Sequence, residues 1–431
     1  MAEEGSAMRL HGTATERRKA LFLGSIGGGL EFYDFVIYAV FADVIGRTFF
    51  PGGDTASHLI AAFAVFAVGY LARPLGGLLF SHFGDRLGRR TMLRISIGGM
   101  AGATILMGLM PGHATLGIAA SVIFVALRII QGMCLGGEIP GALVLITETM
   151  PRRRGLACGV LFLMINVGLL LAHIVQWAIV TALPAEDVTA YGWRIGFLLG
   201  GGIALLGFVL RQRLSESPAF LDMEDTARKV PLVTLVRQHP GGVLAGFLIA
   251  GIGASTVSLL YLYMDTYLTR TLNYPETLVS GASVLGILIF SLPMPLAGWL
   301  GDRRGLTVPT KIGCLGLLLA ALPLYGWLGT GPQNVLPALA VLSILAAFAW
   351  GAAPALITAL FPTEVRYTGT ALSYNLGFAI IGGLTPLAST VLIRMTDTTL
   401  VPAFLLAAFV GLGLVAAVVA RRQDGPAQAG A

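Results

Sequence analysis

The chain is laid out as long apolar runs separated by short clusters of charge, proline and glycine. A helix needs about 20 apolar residues, at about 1.5 Å each, to cross the hydrocarbon core of a bilayer. Twelve runs reach that length, at residues 21–46, 58–82, 91–111, 116–149, 155–183, 191–211, 242–271, 277–300, 308–329, 334–361, 366–395 and 399–421. Several exceed one crossing, which predicts tilt or helix continuing past the membrane. The first run is interrupted by Glu31 and Asp34 and carries on through Phe49 and Phe50 without a small-residue cleavage site, so it reads as a retained helix and not a signal peptide. The pattern predicts an all-α membrane protein of twelve transmembrane helices.

Lysine and arginine set the orientation. With the N-terminus in the cytoplasm, the cytoplasmic segments hold 22 basic residues, and the opposite loops hold four, Arg47, Arg194, Arg270 and Arg394. That excess is a positive-inside signal and predicts that both termini are cytoplasmic. The longest polar connection divides the chain into a cytoplasmic N-terminus (1–20), a six-helix half (21–211), a cytoplasmic middle loop (212–241), a second six-helix half (242–421) and a cytoplasmic tail (422–431). The halves echo each other. Gly84-Asp85-Arg86-Leu87-Gly88-Arg89-Arg90 follows the second span, and Gly301-Asp302-Arg303-Arg304-Gly305 follows the eighth, 217 positions later. Glu148 to Gly155 after the fourth span is matched by Phe361 to Gly369 after the tenth, with Gly155 and Gly369 separated by 214. Two duplicated halves with a site between them near mid-membrane is a transporter architecture.

Composition narrows the class further. Only 12 % of the 431 residues are charged and 56 % are hydrophobic, where a soluble domain carries roughly 25 % charge. A water-soluble enzyme is thereby excluded, and so is a disordered chain. The net charge of +6 is confined to short loops and forms no basic face, so nucleic acid is not a partner. Cys134, Cys158 and Cys314 fall inside apolar stretches as packing residues, not as a disulfide framework. No GxxxxGK[ST] sequence is present, so ATP is not the energy source and no cofactor is expected.

Five ionisable residues lie deep in the runs of the first half: Glu31, Asp34, Arg73, Arg128 and Glu138. Each costs about 2.5 to 3.5 kcal/mol at a helix centre if unpaired, together about 12 kcal/mol or more. They must therefore face one another, water or a substrate. Span midpoints put Asp34 at the centre, Arg73 about 5 Å inward and Arg128 about 6 Å outward. Glu31 and Asp34 share a helical face that Tyr38 continues. Acids outnumber arginines by three to two, and a desolvated carboxylate without a cation takes up a proton. An anionic substrate competing for an arginine would thus release an acid to be protonated, with Asp34 or Glu138 as carrier. Arg73 is the favoured carboxylate ligand, since a planar fork grips a carboxylate with two hydrogen bonds. Arg128 is read either as a second ligand or as a fixed charge holding an acid, Glu138 either as a proton site or as a packing and gating residue.

Other candidates are less central. Arg194 lies at the outer end of the sixth span, to steer anions or anchor Trp193. His173, mid-way along the fifth span, is a candidate proton shuttle. The second half holds no central acid or base by this reading, but Tyr261, Tyr374 and Asn375 offer polar groups to a pocket, with Tyr263, Tyr267 and Ser373 beside them. Asp85 and Asp302 stand before arginine clusters, where a carboxylate can pair with arginine or cap a neighbouring helix. With Arg86, Arg89, Arg303, Glu148, Arg154, Glu364 and Arg366 they form candidate latches that hold in one state and break in another.

The duplicated GDxxGRR loops, twelve spans and long middle loop resemble the major facilitator superfamily. Within it the chain resembles the metabolite:proton symporter family, through Gly27 to Phe35 with Tyr38 and Phe49-Phe50-Pro51, Ala72 to Gly77, Arg128 to Glu138, Trp193-Arg194, and Phe361 to Pro386. The resemblance implies the major facilitator fold, an arginine of the second helix (here Arg73) gripping a carboxylate, and a latch role for the GDxxGRR loops in the outward-open state. The expected function is proton-coupled import of a small organic anion, a di- or tricarboxylate, by alternating access, driven by the proton gradient. Alternatives are uptake of a zwitterionic osmolyte such as proline or betaine, and drug or metabolite efflux by proton antiport. The expected setting is a multi-pass monomer in a bacterial inner membrane, with lipid, proton and substrate as partners.

Overall fold

A computed structural model describes Gly29 and residues 32–87, 89–136, 138–213, 235, 237–363 and 365–423, with backbone alone at 78, 80–94, 138, 206–213 and 421–423. The described residues are helical throughout, with no strand among them. In chain order, α1 covers 32–49, with one turn residue at Phe41. Next come α2 (Thr55–Leu87), α3 (Arg89–Leu109), α4 (Ile118–Cys134 and Glu138–Thr149), α5 (Arg154–Ala182) and α6 (Ala185–Asp187 onward to Trp193–Arg213). The second half opens with α7 (Pro240–Val257 continued to Thr271), followed by α8 (Glu276–Ser291 and Met294–Arg304) and α9 (Thr307–Leu328). It closes with α10 (Val335–Gly351 and Ala353–Ala359), α11 (Arg366–Thr396) and α12 (Val401–Gln423). Ten of these, all but α1 and α3, are long and apolar enough within the described residues to cross a membrane. The middle loop from 214 to 234 and the first 28 residues lie outside the description.

The breaks have identifiable causes. Pro293 follows the end of the first piece of α8, and Pro354 lies in the first turn of the second piece of α10, where a missing N–H costs least. Pro74 and Pro386 sit inside continuous helices. Wide turns with i→i+5 bonding occupy 258–262 and 267–271 in α7 and 377–382 in α11. Such turns insert extra residues and re-aim the side chains that follow.

The two halves meet along two seams, α5 against α8 and α2 against α11. In the duplicated order α2 corresponds to α8 and α5 to α11, so these are one seam used twice. Close backbone approach makes the α5–α8 seam possible. A Cβ on Gly298 would collide with the carbonyl oxygen of Gly155, and a Cβ on Gly155 would stand 2.5 Å from that of Gly298. Small residues let helix backbones touch where no hydrophobic driving force separates protein from lipid.

Gly298→Ala is expected to force the seam apart and cost about 1–3 kcal/mol by overpacking, read as a fall in melting temperature in detergent. Gly102, around which a Cβ would meet nothing within 4 Å, is the control. Gly102→Ala should be neutral or stabilising by up to about 1 kcal/mol, and equal effects of the two changes would contradict the close-packed seam.

Candidate functional site

Three of the five deep charges are described with their side chains, and all are buried: Asp34 and Arg128 at 0 % exposure and Arg73 at 2 %. Asp34 and Arg128 do not form a direct ion pair. They are joined through two neutral side chains: Arg128 Nη1 donates to Gln131 Oε1, Gln131 Nε2 donates to Thr104 Oγ1 at 2.8 Å, and Thr104 Oγ1 donates to Asp34 Oδ2 at 3.0 Å. Gln131 stands one helical turn after Arg128, on the same face of α4. The Thr104 hydroxyl lies equally close, 3.0 Å, to the Met100 carbonyl. Its single hydrogen therefore serves an ionised Asp34, and it can swing to Met100 when Asp34 is protonated and donates to it. The relay lies wholly within the first half, on α1, α3 and α4.

Aromatic rings complete the surroundings of both arginines. The Arg128 guanidinium lies 4.1 Å from the centroid of Phe35, 4.3 Å from Tyr38 and 5.5 Å from Phe66. Arg73 lies 5.3 Å from Tyr70, 5.8 Å from Phe378 and 6.0 Å from Phe35. Arg73 borders a small cavity between the halves lined also by Phe32, Phe35, Tyr70, Leu135 and Leu262. Its Nε and Nη2 make no hydrogen bond, nor do those of Arg128, and one carboxylate oxygen of Asp34 is likewise unbonded. Leaving a buried polar donor unmade costs about 1–3 kcal/mol, more for a charged group. Cation–π attraction returns about 0.5–2 kcal/mol but satisfies no N–H. A buried guanidinium fork with open donors beside a cavity at the seam can donate two hydrogen bonds to an acceptor such as a carboxylate.

The remaining sequence candidates separate into groups. Tyr38 packs its ring on Arg128 and donates its hydroxyl to the Ala62 carbonyl at 2.7 Å. Tyr261 spends its hydroxyl on Ser343 at 2.8 Å within the second half. Tyr374 stacks on Phe378, which itself faces Arg73. Asn375 Nδ2 donates to the Gly136 carbonyl at 2.6 Å, tying α11 to the break in α4. Arg194 is held away from the cavity: it donates to the carbonyls of Gly108 and Met110 at 2.9 and 2.7 Å, capping α3, and lies over the Trp193 ring. His173 is fully buried in the α5 seam. Glu31 and Glu364 lie outside the described residues, as do the side chains of Glu138, Asp85, Arg86 and Arg89.

Links between the halves close both faces. On the arginine-rich face, Asp302 accepts from the backbone N–H groups of Gly155 and Leu156 at 2.7 and 2.8 Å. A carboxylate of α8 thereby caps the N-terminus of α5, where free N–H groups and the helix dipole favour an anion. Glu148 pairs with Arg366 at 2.9 Å on the same face. Arg154 is exposed, and Arg303 stacks on Trp299 at 4.2 Å instead of bridging the seam. On the opposite face Arg270 reaches Asp43 at 3.0 Å and Glu276 at 2.5 Å, and Arg394 reaches Asp54 at 3.3 Å and Ser57 at 2.9 Å. The Ser57 hydroxyl and N–H, with a smaller share from Arg394, hold the Asp54 carboxyl below the usual carboxylate range.

One expectation is corrected. The second half does hold a buried acid, Asp265, 3 % exposed on α7, where it accepts a hydrogen bond from Ser283 Oγ. It sits six residues before the end of α7 and so reads as an interfacial residue on a uniform helix. The wide turns on either side of it change the register and turn it inward. Thr104 and Gln131 were also not singled out, although the i, i+3 spacing of Arg128 and Gln131 was visible.

A family model described as Major Facilitator Superfamily matches residues 24–386. A proline/betaine transporter of Salmonella typhimurium is 32 % identical over 419 residues, covering 93 % of this chain and 83 % of that protein. The inner membrane metabolite transport protein YhjE of Escherichia coli is 34 % identical, covering 86 % of each. A citrate-proton symporter of Salmonella typhi is 31 % identical, covering 97 % and 98 %. The crystal structure of a D-xylose-proton symporter superposes with a TM-score of 0.74 at 18 % identity, covering 93 % of this chain and 96 % of that one. That likeness establishes the fold.

Breaking the relay at Thr104→Val or Gln131→Leu should each cost about 1–3 kcal/mol of stability by stranding a buried polar partner, measured by denaturant titration in mixed micelles. The double variant should cost less than the sum by about 0.5 kcal/mol or more. Strict additivity would mean the two residues are not connected.

Proposed function

We propose that this chain, which belongs to the major facilitator superfamily, is a proton-coupled symporter that imports a small carboxylate-bearing zwitterion of the proline or betaine type. It is a membrane transporter and not an enzyme. The observation that carries the substrate reading is the buried guanidinium of Arg73, which borders the cavity between the halves with its Nε and Nη2 unbonded, among the rings of Tyr70, Phe35 and Phe378. The carboxylate takes the two N–H groups, and the ring faces receive an adjacent ammonium group, as aromatic cages do for quaternary nitrogen. Charge balance favours the same class. The five deep ionisable residues of the first half sum to −1 by sequence, so a zwitterion with one proton brings them to neutrality, whereas a tricarboxylate adds several charges that low dielectric penalises.

In this reading the arginine-rich face is cytoplasmic, both termini lie on that side, and twelve helices cross a bacterial inner membrane, with α1 and α3 completed by residues outside the description. Asp34 carries the proton, and the Thr104–Gln131 relay reports its state to Arg128. The monomer is the working unit, and the proton gradient drives it without a cofactor. The cross-half links at Asp302, Glu148–Arg366, Asp43–Arg270 and Asp54–Arg394 open alternately on the two faces. A di- or tricarboxylate is the second reading, supported by two arginines facing one ring, Phe35, and by likeness to a citrate-proton symporter.

Uptake into proteoliposomes tests the pair. Betaine or proline should accumulate under an acid-outside gradient, faster with an inside-negative potential because a zwitterion with one proton carries positive charge, and an uncoupler should abolish accumulation. Gradient-driven uptake of citrate or α-ketoglutarate with none of betaine or proline would overturn the zwitterion reading.

A further inference from the structure

His173 on α5 makes two hydrogen bonds that a neutral imidazole cannot make together. Nδ1 lies 3.0 Å from the Leu169 carbonyl oxygen, and Nε2 lies 3.0 Å from that of Tyr261 on α7. Carbonyl oxygens only accept, so both nitrogens must carry hydrogen, and only the imidazolium has two N–H groups. In the neutral ring one lone pair would point at a carbonyl lone pair across a buried gap. The geometry is therefore that of a cation at 0 % exposure.

An acid lies close by. Asp265, one turn beyond Tyr261 on α7, is buried and accepts a hydrogen bond from Ser283 of α8. The other charged groups on the packed elements lie further out: Arg270 of α7 pairs with Glu276 of α8 and Asp43 of α1. Asp34 of α1 is engaged with α3 instead, Arg194 of α6 caps α3, and Glu148 of α4 pairs with Arg366 at the arginine-rich face. Within α5 only Arg154, at its far end, is also charged.

His173 and the Leu169 carbonyl are thus on one half, and the Tyr261 carbonyl and Asp265 are on the other. His173 is 19 residues from the start of α5 and 9 from its end, about 28 Å and 14 Å along the helix, so the contact lies nearer the face closed by Asp43–Arg270. The Asp34 relay is internal to one half and survives rocking of the halves; the His173 contact is severed when that face opens.

We propose that His173 and Asp265 form a second proton-binding site across the seam, and that its protonation closes the face opposite the arginine-rich one. This rests on the reading as a proton-coupled symporter. A proton arriving from that side makes the second N–H available, α5 locks onto α7, and the face seals. Loss of the proton leaves one bond unmade and Asp265 without its cation, and the face opens.

The test is a spin-label distance across that face, with labels on cysteines at Glu186 and Gln333, both exposed, after replacing the three buried native cysteines by alanine. In wild type the distance should lengthen as pH rises through about 5 to 8. His173→Gln, which keeps hydrogen-bonding capacity but cannot be charged, should abolish the pH response. Asp265→Asn should move the midpoint about one pH unit or more toward acid, because the imidazolium loses the carboxylate that favours it. If His173→Gln does not fold, Asp265→Asn decides alone. A wild-type distance that ignores pH, or variants that keep the wild-type transition, would overturn the proposal. Betaine uptake is followed in the same vesicles: a pH-dependent distance lost in His173→Gln, with no betaine uptake by wild type, would sustain the proton site while refuting the zwitterion substrate.

Discussion

A guanidinium cannot lose its charge at any ordinary pH, so once it is buried in oil the rest of the protein must arrange itself around it. Arg128 and Arg73 meet that constraint in different ways. Arg128 is held by Gln131 and flanked by three rings, and its connection to Asp34 runs through Thr104. Arg73 has comparable aromatic walls and, like Arg128, leaves its Nε and Nη2 without a hydrogen bond, but it borders the cavity between the halves. Arg128 is thus joined to an acid within one half, whereas Arg73 stands where the halves meet. In the proposed symporter, that difference in position gives proton handling to the first and cargo to the second.

The seam gives that chemistry a mechanical consequence. Phe378 on the second half forms one wall around Arg73, so a solute seated on the guanidinium touches both halves. Each face is closed by a few polar links: a carboxylate on a helix N-terminus and one ion pair on the arginine-rich face, two arginine-centred pairs on the other. Partly exposed pairs of this kind are worth about 0–1 kcal/mol each. Small differences in how cargo and proton bind can therefore decide which face gives way.

Much of this was legible in the sequence because the membrane makes the cost of misplaced charge large. Apolar runs reveal spans, and a charge inside a run stands out, so Asp34, Arg73 and Arg128 were visible as a set. Thr104 and Gln131 were not, because neutral polar residues are cheap enough in helices to occur for many reasons. Asp265 was missed because counting along a uniform helix places it near the interface, and wide turns are not encoded in any residue type. Tyr261 and Arg194 were visible as polar groups, but their partners, Ser343 and the last carbonyls of α3, are three-dimensional facts. The Gly-Asp repeat announced Asp302 as a latch candidate, and the helix it caps emerges only when α5 and α8 are packed together.

The most direct test of the assignment of cargo to Arg73 is calorimetric titration of betaine into the purified protein and into Arg73→Gln, which retains hydrogen-bonding capacity without the charge. The account predicts saturable binding by wild type and affinity weakened about a hundredfold or more in the variant, the consequence of losing about 2.7 kcal/mol from a buried charged hydrogen-bonded pair, with the melting profile intact. Equal affinity in a folded Arg73→Gln protein would contradict it.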